Sequence, residues 1–283
     1  MKLEIKTPYM LYMFLNILVN LKKFKEDVTM YFNKDGLYIQ EFDNAQICVL
    51  ELNITKKWFG SGNYIVDENE VISINCSTLS LVLSCYDKKH TILILECENA
   101  DNLNIIYDGD NANRKEFSIP CMDINKDLFE VPNVDFDIDI TMNSNFYKKT
   151  VSELLKFSQD IEIKADGETL KFLSLGDIGK FEMDMLNTDD EESLEYAINE
   201  GIKYHGTFNL RYLDLTSNFI KLSNKIEIHT NDNAPMLLSY NLDYKTKIDE
   251  KKGIIKYSQD NDNEDYENYL KFYIAPKVNE YDD

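Results

Sequence analysis

The sequence predicts an α+β protein built from two similar domains, and three observations carry that expectation. A helix-forming stretch is followed by a β-hairpin with an Asp-Gly turn, first at Asp35-Gly36 and again, about half a chain later, at Asp166-Gly167. In both halves the hairpin leads to further β-rich runs and then to a second, shorter helical pattern. The 283 residues are enough to bury two ordinary cores.

The elements follow in order. In MKLEIKTPYMLYMFLNILVNLKK the apolar spacing predicts a core helix, with Thr7 placed to cap it and Pro8 suited to its first turn. Glu4, Pro8, Asn16 and Asn20 interrupt this segment, which makes it a poor signal peptide and too short a run to span a membrane. No membrane partner is expected. DVTMYFNKDGLYIQEFD (Asp27 to Asp43) reads as the first hairpin, and Leu79, Val82, Leu83 and Tyr86 have the i, i+3, i+4, i+7 spacing of a helix.

The polar stretch CMDINKDLFEVPNVDFD (Cys121 to Asp137) reads as a connecting segment, which divides the chain into domains 1–120 and 138–283. SNFYKKTVSELLKFS (Ser144 to Ser158) predicts a helix with Tyr147, Val151, Leu154 and Leu155 on one face and Lys149, Ser152 and Lys156 on another. DIEIKADGETLKFLSLGD (Asp160 to Asp177) is the second hairpin, and Tyr212, Leu215 and Phe219 mark the last helix. Residues 243–268 read as a mobile polar insertion, with GIIKYS (Gly253 to Ser258) as a short added strand.

Composition narrows the function. With 51 acidic and 30 basic residues the net charge is −21, yet 43% hydrophobic content with 18 Tyr and 15 Phe is that of a folded protein. Five cysteines without a C-x-x-C predict reduced, buried thiols in an intracellular protein. The three histidines, His90, His205 and His229, form no H-E-x-x-H, and no G-x-S-x-G or P-loop occurs. Gly60-Ser61-Gly62 lacks the third glycine of a dinucleotide loop. The acidic cluster Asp189 to Glu192 reads as a solvated loop, and DNDNED (Asp260 to Asp265) lacks the glycine and distal glutamate of a calcium loop. Neither a catalytic constellation, a metal site nor a cofactor is expected, so the chain is read as a non-enzyme.

Three stretches, TFNLRYLDL (Thr207 to Leu215), NAPMLLSYNL (Asn233 to Leu242) and YLKFYIAPKV (Tyr269 to Val278), carry a resemblance, with weaker agreement along GLYIQEFDNAQICVLEL (Gly36 to Leu52). In these, and in domain order over nearly its whole length, the chain resembles the proliferating cell nuclear antigen family, the eukaryotic-type DNA sliding clamps. Its divergence and its Asn, Lys and Ile richness leave a viral source among the alternatives. The resemblance implies a homotrimeric ring, with helices lining a channel and antiparallel sheets outside. Such a ring encircles duplex DNA without reading sequence and tethers a DNA polymerase and other replication or repair proteins. An ATP-dependent clamp loader would open it. The expected location is the nucleus, or a cytoplasmic replication site for a viral protein.

By the same resemblance, Lys22, Lys23, Lys149, Lys156, Arg211 and Lys221 would meet phosphates in the channel. Leu81, Ser84 and Asn218 stand where the family usually has basic residues, and lysines opposite an apolar stripe also describe an ordinary solvated face. The acidic outer sheets would be screened from the duplex over a Debye length of about 8 Å. A pocket for the clamp-interacting peptide of partner proteins would comprise Phe42, Gln46, Ile47, Phe129, Val131, Pro235, Tyr273, Ala275 and Pro276. Subunits would join through NRKEFSIP (Asn113 to Pro120) and GKFEMDML (Gly179 to Leu186), with Arg114 and Lys115 facing Glu182 and Asp184 and with Phe117 and Phe181 also at the contact. The alternatives are a monomeric or dimeric clamp-like processivity factor and one subunit of a heterotrimeric checkpoint clamp.

Overall fold

A computed structural model of the chain describes residues 1–98, 101–124, 127–132, 134–167, 169–186, 194–249, 254–259 and 266–277, with backbone alone for 246–249 and 254–259. Asp189 to Glu192, the DNDNED run, Gly253 and Val278 lie outside the described residues. The chain divides into two units. One holds Met1–Asn44, Leu50–Phe129 and Leu242–Leu270, and the other holds Ala45–Val49, Glu130–Asn241 and Lys271–Asp283.

The first unit runs β1 (Lys2–Ile5), α1 (Pro8–Phe24), β2 (Asp27–Phe32), β3 (Gly36–Phe42), β4 (Cys48–Thr55), β5 (Tyr64–Ile65), β6 (Glu70–Asn75), α2 (Cys76–Leu83), β7 (Ile92–Glu96), β8 (Asn102–Asp108) and β9 (Lys115–Pro120). Its strands lie in the orders β5-β1-β7-β8-β9 and β4-β3-β2-β6. The second unit runs β10 (Ile138–Asn143), α3 (Ser144–Leu154), β11 (Asp160–Ala165), β12 (Leu170–Gly176), β13 (Gly179–Met185), β14 (Leu194–Ile198), β15 (Tyr204–Asn209), α4 (Leu210–Thr216), a 3₁₀ turn (Ser217–Phe219), β16 (Lys225–Thr230), β17 (Met236–Asn241) and β20 (Tyr269–Ile274); the hairpin β18 (Tyr244–Asp249) and β19 (Ile254–Gln259), which lies between β17 and β20 in the chain, belongs to the first unit. The orders in the second unit are β14-β10-β16-β17-β20 and β13-β12-β11-β15. With β18–β19 set aside, both units have the order fifth-first-seventh-eighth-ninth in one antiparallel sheet and fourth-third-second-sixth in the other. The repeat read from two Asp-Gly turns is therefore a repeat of whole topology.

The two turns use their residues differently. In the first, the Asn33 side chain accepts from the backbone N–H of Asp35 (2.8 Å) and Gly36 (3.0 Å). A Cβ at Gly36 would sit 2.1 Å from the Ile54 carbonyl oxygen, so close strand approach demands glycine there. In the second, Asp166 accepts from the Thr169 backbone N–H at 2.8 Å, while Gly167 has open space around it.

Each unit buries its own core. Leu3, Ile5, Phe14, Leu50, Ile72, Leu93 and Ile105 are fully buried in the first, and Ile138, Ile140, Leu154, Leu170, Leu210, Ile226 and Phe272 in the second. Each such side chain contributes about 1.5–3 kcal/mol relative to exposure. Helix α1 packs on α2, and α3 packs on α4 and the 3₁₀ turn.

Three sequence expectations are corrected. Thr7 occupies the N-cap of α1 but makes no side-chain capping bond, so Pro8 at the first turn is the start signal that acts. The helix expected to reach Ser158 stops at Leu154, because Lys156 and Phe157 donate to Glu153 (3.2 Å) and Leu154 (3.0 Å), three residues back, and the tightened turn ends the α-helical spacing. The insertion expected to be mobile contains a hairpin rather than one added strand, with Lys247 opposite Lys256 and Ile248 opposite Ile255. Its base is tied down: the Trp58 indole donates to Leu242 O at 2.9 Å, and Asn268 accepts from the Thr55 N–H at 2.7 Å.

The cysteines are free, with Cys48, Cys76 and Cys97 buried. Burial, with Cys97 alongside, pushes the Cys121 thiol up to about 11, which keeps it from forming a reactive thiolate at neutral pH. Among the described residues no helix is long and apolar enough to cross a membrane, and no cluster of His, Cys, Asp and Glu could hold a metal ion.

Candidate functional site

The helices separate charge from the rest of the chain. Their charged side chains are Lys22 and Lys23 on α1, Lys148, Lys149 and Glu153 on α3, and Arg211 and Asp214 on α4, while α2 has none. Five cations against two carboxylates give the four helices +3 in a chain of −21. All five cations are exposed. Lys22 and Lys23 occupy the last turn of α1, where the helix dipole favours them.

The expected phosphate contacts divide accordingly. Lys22, Lys23, Lys149 and Arg211 lie on helices, and Lys221 is exposed just past the 3₁₀ turn. Lys156 leaves the Lys149 face, since α3 ends before it, and lines a cleft of about 460 Å³ with Phe157, Gly176 and Ile178. Lys148 was missed by the sequence reading, which followed only the i, i+3, i+7 row from Lys149. On α2, Leu81 is 69% exposed.

The expected peptide-binding residues are divided between the two units, with one contact pair in each. In the first, the rings of Phe42 and Phe129 pack with centroids 4.8 Å apart and planes at 33°. Gln40, buried on β3, holds Phe129 from both sides of its backbone: its Nε2 donates to Phe129 O and its Oε1 accepts from Phe129 N–H, each at 3.0 Å. Lys25 donates to Phe42 O at 2.7 Å. In the second unit, Ala275 N–H donates to Ile47 O at 2.9 Å, which joins the 45–49 segment to the end of β20. Gln46 has φ 58°, the one non-glycine residue with positive φ among those described, and turns Ile47 outward to 39% exposure. Pro235 and Pro276 are exposed, and Val131 and Tyr273 are half-buried. Beyond Pro276, Lys277 is fixed by its N–H to Thr207 O (2.8 Å) and its Nζ to Asp160 (2.6 Å). Sequence reading missed Gln40 and Lys277 because their partners are distant in the chain.

Strands β9 and β13 each end a sheet order. The charges expected to face one another already have partners in their own chain. Arg114 pairs with Asp108 (3.3 Å) and Glu116 (3.6 Å), and Lys115 donates to Cys85 O at 2.7 Å. Lys171 pairs with Asp184 (2.9 Å) and Glu182 (3.6 Å), and Lys180 also pairs with Glu182. Phe117 packs edge-on to Tyr107 (6.2 Å), and Phe181 packs on Phe157 (5.5 Å). Apolar exposure marks the β13 edge more sharply: Leu175, Ile178 and Leu186 are 66%, 74% and 70% exposed.

Two domains of one topology, each with a helix pair and two antiparallel sheets, define the two-domain sliding-clamp fold. Family models agree in both halves: that for the proliferating cell nuclear antigen N-terminal domain matches residues 9–129, and that for the C-terminal domain matches residues 130–249. The chain belongs to the proliferating cell nuclear antigen family of DNA sliding clamps, as a divergent member. It is 28% identical over 266 residues to the proliferating cell nuclear antigen of Chaetomium thermophilum, covering 91% of this chain and 92% of that protein. It is 23% identical over 273 residues to that of Saccharomyces cerevisiae, covering 95% of each chain. Similarity to proliferating cell nuclear antigen 1 of Plasmodium falciparum is 23% over 265 residues, 92% of this chain and 91% of that one.

Proposed function

We propose that three copies of this chain close head to tail into a ring around duplex DNA and tether a DNA polymerase and other replication or repair proteins to the template. The observation that carries this reading is the excess of cations on the helices of a strongly acidic protein. Bulk charge of −21 repels DNA, so a DNA-encircling function needs its cations concentrated on one set of elements, and α1, α3 and α4 provide them. The contacts reach phosphates and not bases, so the ring slides, and the residues invoked are Lys22, Lys23, Lys148, Lys149, Arg211 and Lys221. An ATP-dependent loader opens the ring, because a closed ring cannot thread onto unbroken DNA. Its site of action is wherever the replicating DNA lies, the nucleus or a cytoplasmic replication site.

Partner proteins engage by a short peptide with one aliphatic and two aromatic anchors. In the first unit Phe42 and Phe129 offer aromatic surface, and in the second Ile47, Ala275 and Pro276 offer small apolar surface, with Gln46, Val131, Pro235 and Tyr273 as the further candidates there. Phe129→Ala is expected to weaken binding of such a peptide about 10- to 100-fold, the equivalent of losing one buried aromatic contact. Pro276→Ala should weaken it in the same direction. Titration of a labelled peptide checks both, and unchanged affinity in both variants would remove these residues from the partner site.

A further inference from the structure

We infer that Gln40 is a positioning residue which fixes the connecting segment in the form that presents Phe129, and thereby sets the affinity for partner peptides; this rests on the partner-site reading above. The primary amide of Gln40 matches the peptide unit it faces, with one donor meeting Phe129 O and one acceptor meeting Phe129 N–H, both at 3.0 Å. The bonds join positions 89 residues apart in sequence, from a β-strand to an irregular segment. A segment without a ladder of its own gains register from such a clamp.

The amide is itself oriented. Gln40 is 6% exposed, and its Nε2 also donates to the Tyr38 hydroxyl at 3.1 Å. Tyr38 in turn donates to Glu51 at 3.0 Å, and Tyr269 donates to the same carboxylate oxygen at 3.2 Å. Glu51 is 8% exposed, so it is an acceptor held in place. Burial, reinforced by the Glu51 charge, raises both phenols far above their usual range, which keeps them protonated as donors. The chain Glu51, Tyr38, Gln40, Phe129 runs from a buried carboxylate to the aromatic ring that packs on Phe42. Only one orientation of the Gln40 amide satisfies all three of its bonds, because the hydroxyl and the carbonyl each accept from the nitrogen.

Two substitutions separate positioning from bulk. Gln40→Met keeps the length and removes all polar bonds, while Gln40→Glu keeps the acceptor for Phe129 N–H and loses the donor. Hydrogen exchange of the free full-length chain, read at the Phe129 amide, is expected to be protected in the wild type, still slowed in Gln40→Glu and unprotected in Gln40→Met. The affinity for a clamp-interacting peptide should fall about 10-fold in Gln40→Met, as the binding-competent form of the segment becomes a minor one. Wild-type protection at Phe129 with retained protection in Gln40→Met would overturn the inference, as would loss of protection with no change in peptide affinity. If the wild type binds no such peptide, the partner-site reading fails, and the exchange result alone decides whether Gln40 fixes the segment.

Discussion

Reversing Lys22, Lys23, Lys148 and Lys149 to Glu is expected to weaken binding of linear duplex DNA by at least ~10²-fold at moderate salt and to flatten its salt dependence, each lost phosphate contact removing about 0.9 from the log–log slope. The expectation follows from concentration of charge: these four supply most of the cations on the helices. A control removes the objection that any added negative charge repels DNA. Lys34, Lys57, Lys164 and Lys203 lie on sheets or loops, and reversing them changes net charge by the same amount. Fluorescence anisotropy across a salt series is the measurement. Equal losses in the two quadruple variants would reduce the helix lysines to ordinary surface charge.

The second large effect is on assembly. Leu175, Ile178 and Leu186 are more than half exposed beside the β13 edge, so Asp in their place adds little strain to the single chain. If that edge closes the ring against β9 of the next copy, the change buries charge in an apolar contact, and each lost anchor costs about 1.5–3 kcal/mol. Ile178→Asp with Leu175→Asp is therefore expected to lower the solution mass from near three times 33.1 kDa to that of one chain, with the circular dichroism of the folded chain kept. Light scattering coupled to size exclusion reads the mass. A wild-type chain that stays monomeric at high concentration would shift the reading to an open processivity factor or a subunit awaiting other partners.

Much of the fold was legible because its signals are local. Asp-Gly turns, period-2 alternation as in β11 and β16, and the apolar run of α1 each depend on near neighbours in the chain. Strand β1 was not legible, since KLEI is four residues long and reads as a lead-in to the helix. The end of α3 was misplaced because Leu155 and Phe157 continue an apolar spacing that only the backbone bonding interrupts. The candidate site was open to naming from the sequence where the family resemblance points to a residue, as with Phe42, Phe129 and Pro276. It was not where the role lies in a distant backbone partner, as for Gln40 and Lys277, or where exposure contradicts apolar character, as for Leu175, Ile178 and Leu186. The charge separation required the helix boundaries, because the same lysines counted along the whole chain disappear into a total of −21.

Topological retention tests the central claim most directly. The chain is loaded onto nicked circular duplex DNA with a clamp loader and ATP, the free protein is removed by gel filtration at high salt, and the DNA-bound fraction is measured before and after a restriction enzyme linearises the circle. An encircling clamp stays with the circle at salt that dissolves phosphate contacts and runs off once an end is made. Equal loss from circular and linear DNA under those conditions would contradict encirclement and leave binding to charge alone.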